Sequence, residues 1–203
     1  MRLLDRLEEQ QQHFPRSLAF EQDIHTFTFA HGVIEGRSWG QMFGAAGKPL
    51  DRVLIRMLLR SALALCETLR ALHRNRCAHR ALSPDDILYL DNQRTLLRDV
   101  GLATWRYKPG EGADGYRAPE QDIANGGLSL PGSHTDVYQL GMVLYHFITG
   151  HLPASTKQIV EPSAWNKELM PEIDAVLLRA LALRIKERPT IADFSAALRR
   201  ALR

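Results

Sequence analysis

Between positions 137 and 148 the chain carries Val137, Leu140, Met142, Val143, Leu144, Phe147 and Ile148, leaving almost no polar face at helical spacing. A helix that is apolar nearly all round cannot lie on a surface, so it belongs in the middle of the molecule and other elements must enclose it. Gly150 is placed to end it, because glycine accepts the left-handed turn that stops a helix. A second, one-sided helix is expected from Asp51 to Arg74. Val53, Leu54, Met57, Leu58, Ala62, Leu65, Leu69 and Leu72 recur there on one side, and Pro49 and Asp51 stand where a helix opens.

Weaker signals fill the rest. Leu3, Leu4 and Leu7 predict a short amphipathic helix over 2–13, interrupted by Pro15. Alternation from Leu18 to Ile34, with aromatic and β-branched residues at 26–29, predicts a two-stranded hairpin. Another hairpin is expected from 87–90 and 95–97 around Asp91-Asn92-Gln93-Arg94. The glycine-rich stretch 99–130 reads as a long irregular loop, and loops of that length in a compact domain are commonly functional. Two amphipathic helices, about 170–183 and 191–202, close the chain with Pro189 setting the break. The fold class is α+β, mainly α-helical.

With 203 residues, 45% of them hydrophobic and 24% charged, the chain can bury one sizeable core unaided. Its formal charge of +3 and arginines spread over several helices do not indicate nucleic-acid binding. No apolar run reaches the roughly 18 residues of a membrane span, and the first thirteen residues are too charged for a secretory signal, so no membrane association and a cytoplasmic location are expected. Cys66 and Cys77 read as buried free thiols. The histidines show no metal-ligand spacing. Gly110-Glu111-Gly112-Ala113-Asp114-Gly115 spells a nucleotide-binding fingerprint without the strand before it and helix after it that the fingerprint needs, and Gly44-Ala45-Ala46-Gly47-Lys48 is an incomplete phosphate loop.

Five segments stand in an ordered series: His79-Arg80-Ala81-Leu82-Ser83-Pro84-Asp85-Asp86-Ile87-Leu88, Asp99-Val100-Gly101, Ala118-Pro119-Glu120, Thr135-Asp136-Val137-Tyr138-Gln139-Leu140-Gly141 and Glu187-Arg188-Pro189. In order and interval they resemble the protein kinases, from the catalytic loop through the metal-binding tripeptide to the end of the activation loop. The resemblance covers nearly the whole chain. It implies a kinase-like C-lobe over 35–203 and a truncated small-lobe remnant over 1–34, with Glu8 or Glu9 near the family's ion-paired glutamate and Phe29-Ala30-His31-Gly32 like its hinge. On this reading the glycine-rich loop and strand lysine would precede Met1.

The resemblance also locates what has changed. Ala81, Ser83 and Asp86 stand where the resembled kinases carry the aspartate that orients the substrate hydroxyl, a lysine and a magnesium-binding asparagine. Ala113 takes the place of a threonine hydroxyl. A methyl group neither accepts a proton nor orients a nucleophile, and Ser83 brings no charge. The implied reading is a pseudokinase-type regulatory or protein-binding module with no catalytic residues and no cofactor of its own. The alternative is an atypical ATP-dependent Ser/Thr kinase completed by an upstream segment or partner chain, with Asp85 or Asp86 as base. On either reading the resemblance implies Asp99, joined by Asp86, as the place for magnesium and ATP even without transfer, against a structural Asp99 that caps a turn. His79 is expected as a packed structural residue. Arg80 is expected either exposed or paired with a phosphate, for which Thr104 is the one non-tyrosine hydroxyl between Asp99 and Ala118. Glu120, Asp136 and Arg188 are expected to be structural, the first and last as a buried ion pair. A protein partner, an upstream domain or a second copy is expected over the small-lobe remnant, near Leu4, Leu7, Phe27, Phe29 and Val33.

Overall fold

A computed structural model describes residues 17–22, 27–31, 34–44, 47–90, 92–98, 100–103, 106–122, 129–153 and 158–203. The helix expected over 2–13, together with Asp99, Thr104, Leu4, Leu7 and Val33, lies outside them.

β1 (Ser17–Gln22) and β2 (Phe27–His31) pair antiparallel, as the alternation indicates. A second, three-stranded antiparallel sheet is formed by β3 (Arg37–Ser38), β4 (Ile87–Tyr89) and β5 (Thr95–Leu97) in that order. Sequence patterning finds β4 and β5 but not β3, because two residues carry no alternation to read. Ser38 ends β3 and caps α1 (Trp39–Phe43), its hydroxyl accepting from the Gln41 N–H while the Gln41 side chain accepts from the Ser38 N–H. Trp39 and Phe43 are buried in edge-to-face contact.

The helix opened by Asp51 is α2 (Arg52–Arg74); the Asp51 carboxylate accepts from the Leu54 N–H at 2.8 Å. Ile55, Leu58, Leu59, Ala62, Leu65, Leu69 and Leu72 form its buried stripe. Val53 is a correction: it is 69% exposed, since it lies in the first turn beyond that stripe. α3 (Ser133–Thr149) is the central helix, and every residue from Thr135 to Thr149 except His146 is buried. It stops at Gly150, whose φ of +75° favours glycine, and an added Cβ there would meet the backbone of Lys48 and Pro49 at about 3 Å.

α4 (Pro162–Trp165), α5 (Glu172–Ala180) and α6 (Ile191–Ala201) complete the helical lobe. The last two are shorter than the periodicity suggests, because residues 181–190 turn through a 3₁₀ segment, Ile185–Glu187, before Thr190 caps α6. One core joins α2, α3, α5 and α6 through Leu58, Leu65, Leu140, Leu144, Ile173 and Phe194. Cys66 is buried and free as expected, whereas Cys77 is only half-buried. No helix among the described residues is long and apolar enough to cross a membrane.

Candidate functional site

Among the buried polar residues of α3, Asp136 and Gln139 stand three apart, which places them on one face. That face meets loop 79–86. Asp136 Oδ2 accepts from the backbone N–H of His79 at 2.9 Å and from His73 Nε2 at 2.8 Å, and Oδ1 accepts from the Arg80 N–H at 2.7 Å. Gln139 Oε1 accepts from the Leu82 N–H, while its amide donates to the Arg80 carbonyl and to Gln121 Oε1. Gln121 donates to the same Arg80 carbonyl at 2.7 Å. A buried carboxylate and two buried amides thus satisfy a loop that has no ladder of its own, and desolvation makes each of these bonds costly to lose.

The loop is also bent tightly. Arg80 adopts φ +61°, a conformation that non-glycine residues reach only when their surroundings enforce it. Gly101, at φ +55°, passes so close to His79 that an added Cβ would lie 2.6 Å from its ring and carbonyl oxygen. His79 is fully buried within this packing.

Arg80 is buried and not exposed as one of the two expectations had it. Its guanidinium meets Glu111 at 3.1 Å, with both side chains under one-tenth exposed, and also donates to the Leu102 carbonyl. Glu111 Oε2 accepts from the Lys108 N–H, and the Gly110 N–H donates to the Gln121 carbonyl at 2.7 Å. The glycine-rich run at 110–115 therefore folds as turns around one carboxylate that pins the segment to Arg80. Sequence reasoning set that run aside as a false fingerprint and missed Glu111, Gln121, Gln139 and His73; only Gln139 carried a signal, its place beside Asp136 in an apolar helix.

Ala81 leaves a methyl group at the centre of the loop. Ser83 and Asp86 close on each other, the Ser83 hydroxyl and N–H donating to Asp86 Oδ2 at 2.6 and 2.8 Å. Asp85 accepts from the Ser38 hydroxyl at 3.1 Å. Magnesium prefers several oxygen ligands in near-octahedral geometry. Asp86 is the described carboxylate the sequence points to for that role, and both Ser83 bonds fall on its Oδ2.

Farther along, Glu120 and Arg188 make a two-pronged pair, and Thr135 adds a hydroxyl donor to Glu120 Oε1 at 2.8 Å. Burial alone would raise the Glu120 carboxyl; the Arg188 hydrogen bonds and charge, with Thr135, outweigh it and hold the carboxyl below its ordinary range. The Arg188 guanidinium also lies over the Tyr138 ring, 4.7 Å from its centre, and burial pushes the Tyr138 phenol up to about 12. Tyr116 meets His146 Nδ1 at 2.7 Å; burial pushes the phenol up to about 12 and the imidazole down, so the pair stays neutral near pH 7.

Comparison with known proteins agrees with this arrangement. A model of the protein kinase domain matches residues 48–198. Sperm motility kinase 2B of Mus musculus is 32% identical over 178 residues, which span 79% of this chain and 34% of the mouse protein. The serine/threonine-protein kinase PrkC of Bacillus subtilis is 28% identical over 186 residues, 81% of this chain and 27% of the bacterial protein. The chain thus spans about a third of the length of such relatives. The PknI kinase domain of Mycobacterium tuberculosis superposes with a TM-score of 0.70 over 98% of this chain and 78% of that one, at 20% identity, a likeness of fold. A loop suspended from a buried aspartate, a pinned segment after it, and a matching family over most of the length lead to one conclusion: this chain belongs to the protein kinase domain family.

Proposed function

We propose that this chain is a pseudokinase-type regulatory module, a kinase lobe that binds a protein partner and does not itself move phosphate. The observation that carries the reading is the state of the loop's acids. Position 81 is a methyl group, Asp86 already accepts two bonds from Ser83, and Asp85 accepts from Ser38. A general base must reach the proton it takes, and here both acids are engaged in holding the loop's own shape. The frame around the loop, in contrast, is complete, which suits a surface presented to another protein. β1 and β2 pair with no third strand among the described residues, and an open strand edge is a pairing surface that a partner, an upstream segment or a second copy would cover.

The second reading is an atypical ATP-dependent Ser/Thr kinase completed by an upstream segment or partner chain. The observation in its favour is the same intact frame, Asp136 holding the loop backbone, in a chain whose relatives are Ser/Thr kinases. A thermal-shift titration with ATP and magnesium, run beside incorporation of labelled phosphate, separates the two. The regulatory reading expects no incorporation. Incorporation that Asp99→Ala abolishes would establish the second.

A further inference from the structure

The outward face of α2 carries a row of arginines. Arg52, Arg56, Arg60, Arg70 and Arg74 are all exposed and, at 100° per residue, fall within an arc of about 80° along a row of roughly 33 Å. Glu67 is the one acid within that row. At its C-terminal half the row runs into a cleft between α2 and α6, about 420 Å³ in volume, into which Arg199 and Arg200 also project. Short side chains on α6, Ala192, Ser195 and Ala196, line the cleft and leave its space unfilled. With Arg203, which also lines the cleft, eight arginines share the row and cleft with one glutamate, Glu67.

We infer that this row and cleft form a docking site for an acidic segment of a partner protein, independent of whether the lobe transfers phosphate. The cleft already shows how it takes a carboxylate: Glu67 lies 2.9 Å from Arg199 and 3.8 Å from Arg70, between two guanidinium groups. Arg200 has no ion pair among the described residues and offers a fork of donors matched to a second carboxylate. Burial pushes the Cys66 thiol in the cleft wall well up, so it stays neutral and adds no competing anion. The shape selects among polyanions. A lipid surface or a stiff phosphate backbone would lie along the row and leave the cleft empty, whereas a flexible polypeptide can lay carboxylates on the row and insert one between the helices. The volume is within the range of sites that enclose small ligands or side chains.

The test is fluorescence anisotropy with a labelled aspartate- and glutamate-rich peptide of about twelve residues. The expected result is saturable binding that weakens several-fold as salt rises from about 50 to about 200 mM, and that falls more than about tenfold in Arg70→Glu/Arg200→Glu. Arg184→Glu, on the exposed segment before the 3₁₀ turn, is expected to bind as the parent does. Arg200→Glu alone, which breaks no ion pair among the described residues, keeps the test valid if the double variant melts early. Absence of binding at low salt, binding indifferent to Arg200→Glu, or tighter binding by duplex DNA or phosphatidylserine vesicles than by the peptide would each overturn the proposal.

Discussion

Arg188 Nη1 and Nη2 bond Glu120 Oε1 and Oε2 at 2.7 and 2.8 Å, joining positions 68 residues apart with side chains 0% and 4% exposed. The two ends of the lobe, the segment after the activation loop and the turn before α6, are thereby fastened together. Removing one partner leaves the other as a buried charge, so Arg188→Ala is expected to cost about 3 to 5 kcal/mol in chemical denaturation. The same pair sets an acid limit. Glu120 has a carboxyl depressed from its ordinary 4.5, so its contribution is full above that value and is lost as pH falls through the lower folded one. The parent should lose more stability between pH 5 and its acid transition than Glu120→Gln does, and equal slopes would show the pair to be idle.

Asp136 collects the N–H groups of His79 and Arg80 together with His73 Nε2. Asp136→Ala strands two buried backbone donors, each worth about 1 to 3 kcal/mol when left unpaired. Loss of at least about 2 kcal/mol is expected, with faster hydrogen exchange at His79 and Arg80. His73→Ala should cost less, because its side chain sits at the edge of the cluster with 11% exposure.

The Arg80–Glu111 pair predicts a segment ordered without phosphate. Glu111→Ala should remove the carboxylate that meets the buried Arg80 guanidinium and release residues 106–117, seen as new tryptic cleavage at Arg106 or Arg117. Phosphatase treatment of the parent should leave the cleavage pattern unchanged. A parent already cut there as fast as the variant would show that the pair pins nothing.

No phosphate transfer is expected of this chain, and Ala81→Asp alone should not restore it, because Ser83 remains bonded to Asp86 and Ala113 brings no hydroxyl. Labelled phosphate appearing in the single variant, with the parent silent, would mean that the aspartate was the one missing part.

Helices α2, α3, α5 and α6, and which of them is central, could be read directly from residue order. Apolar spacing at 53–72 and 137–148 specifies helices because burial is periodic, and five short motifs in order identify the family because each marks a fixed place in one fold. Asp136 and Arg188 were legible for the same reason. Other features depend on positions far apart in sequence. Glu111 lies in a run that reads as glycine-rich turn, and its role comes from a guanidinium 31 residues away. β3 is two residues long and exists only because Arg37 and Ser38 meet Tyr89 and Leu88. Arginines that look dispersed along the chain gather into one face because α2 turns every 3.6 residues and because Arg199 and Arg200 arrive from a helix that packs beside it. Local periodicity determines elements; ion pairs between residues distant in sequence, strand pairing and charge clustering are properties of the packed chain, where separation in space replaces separation in sequence.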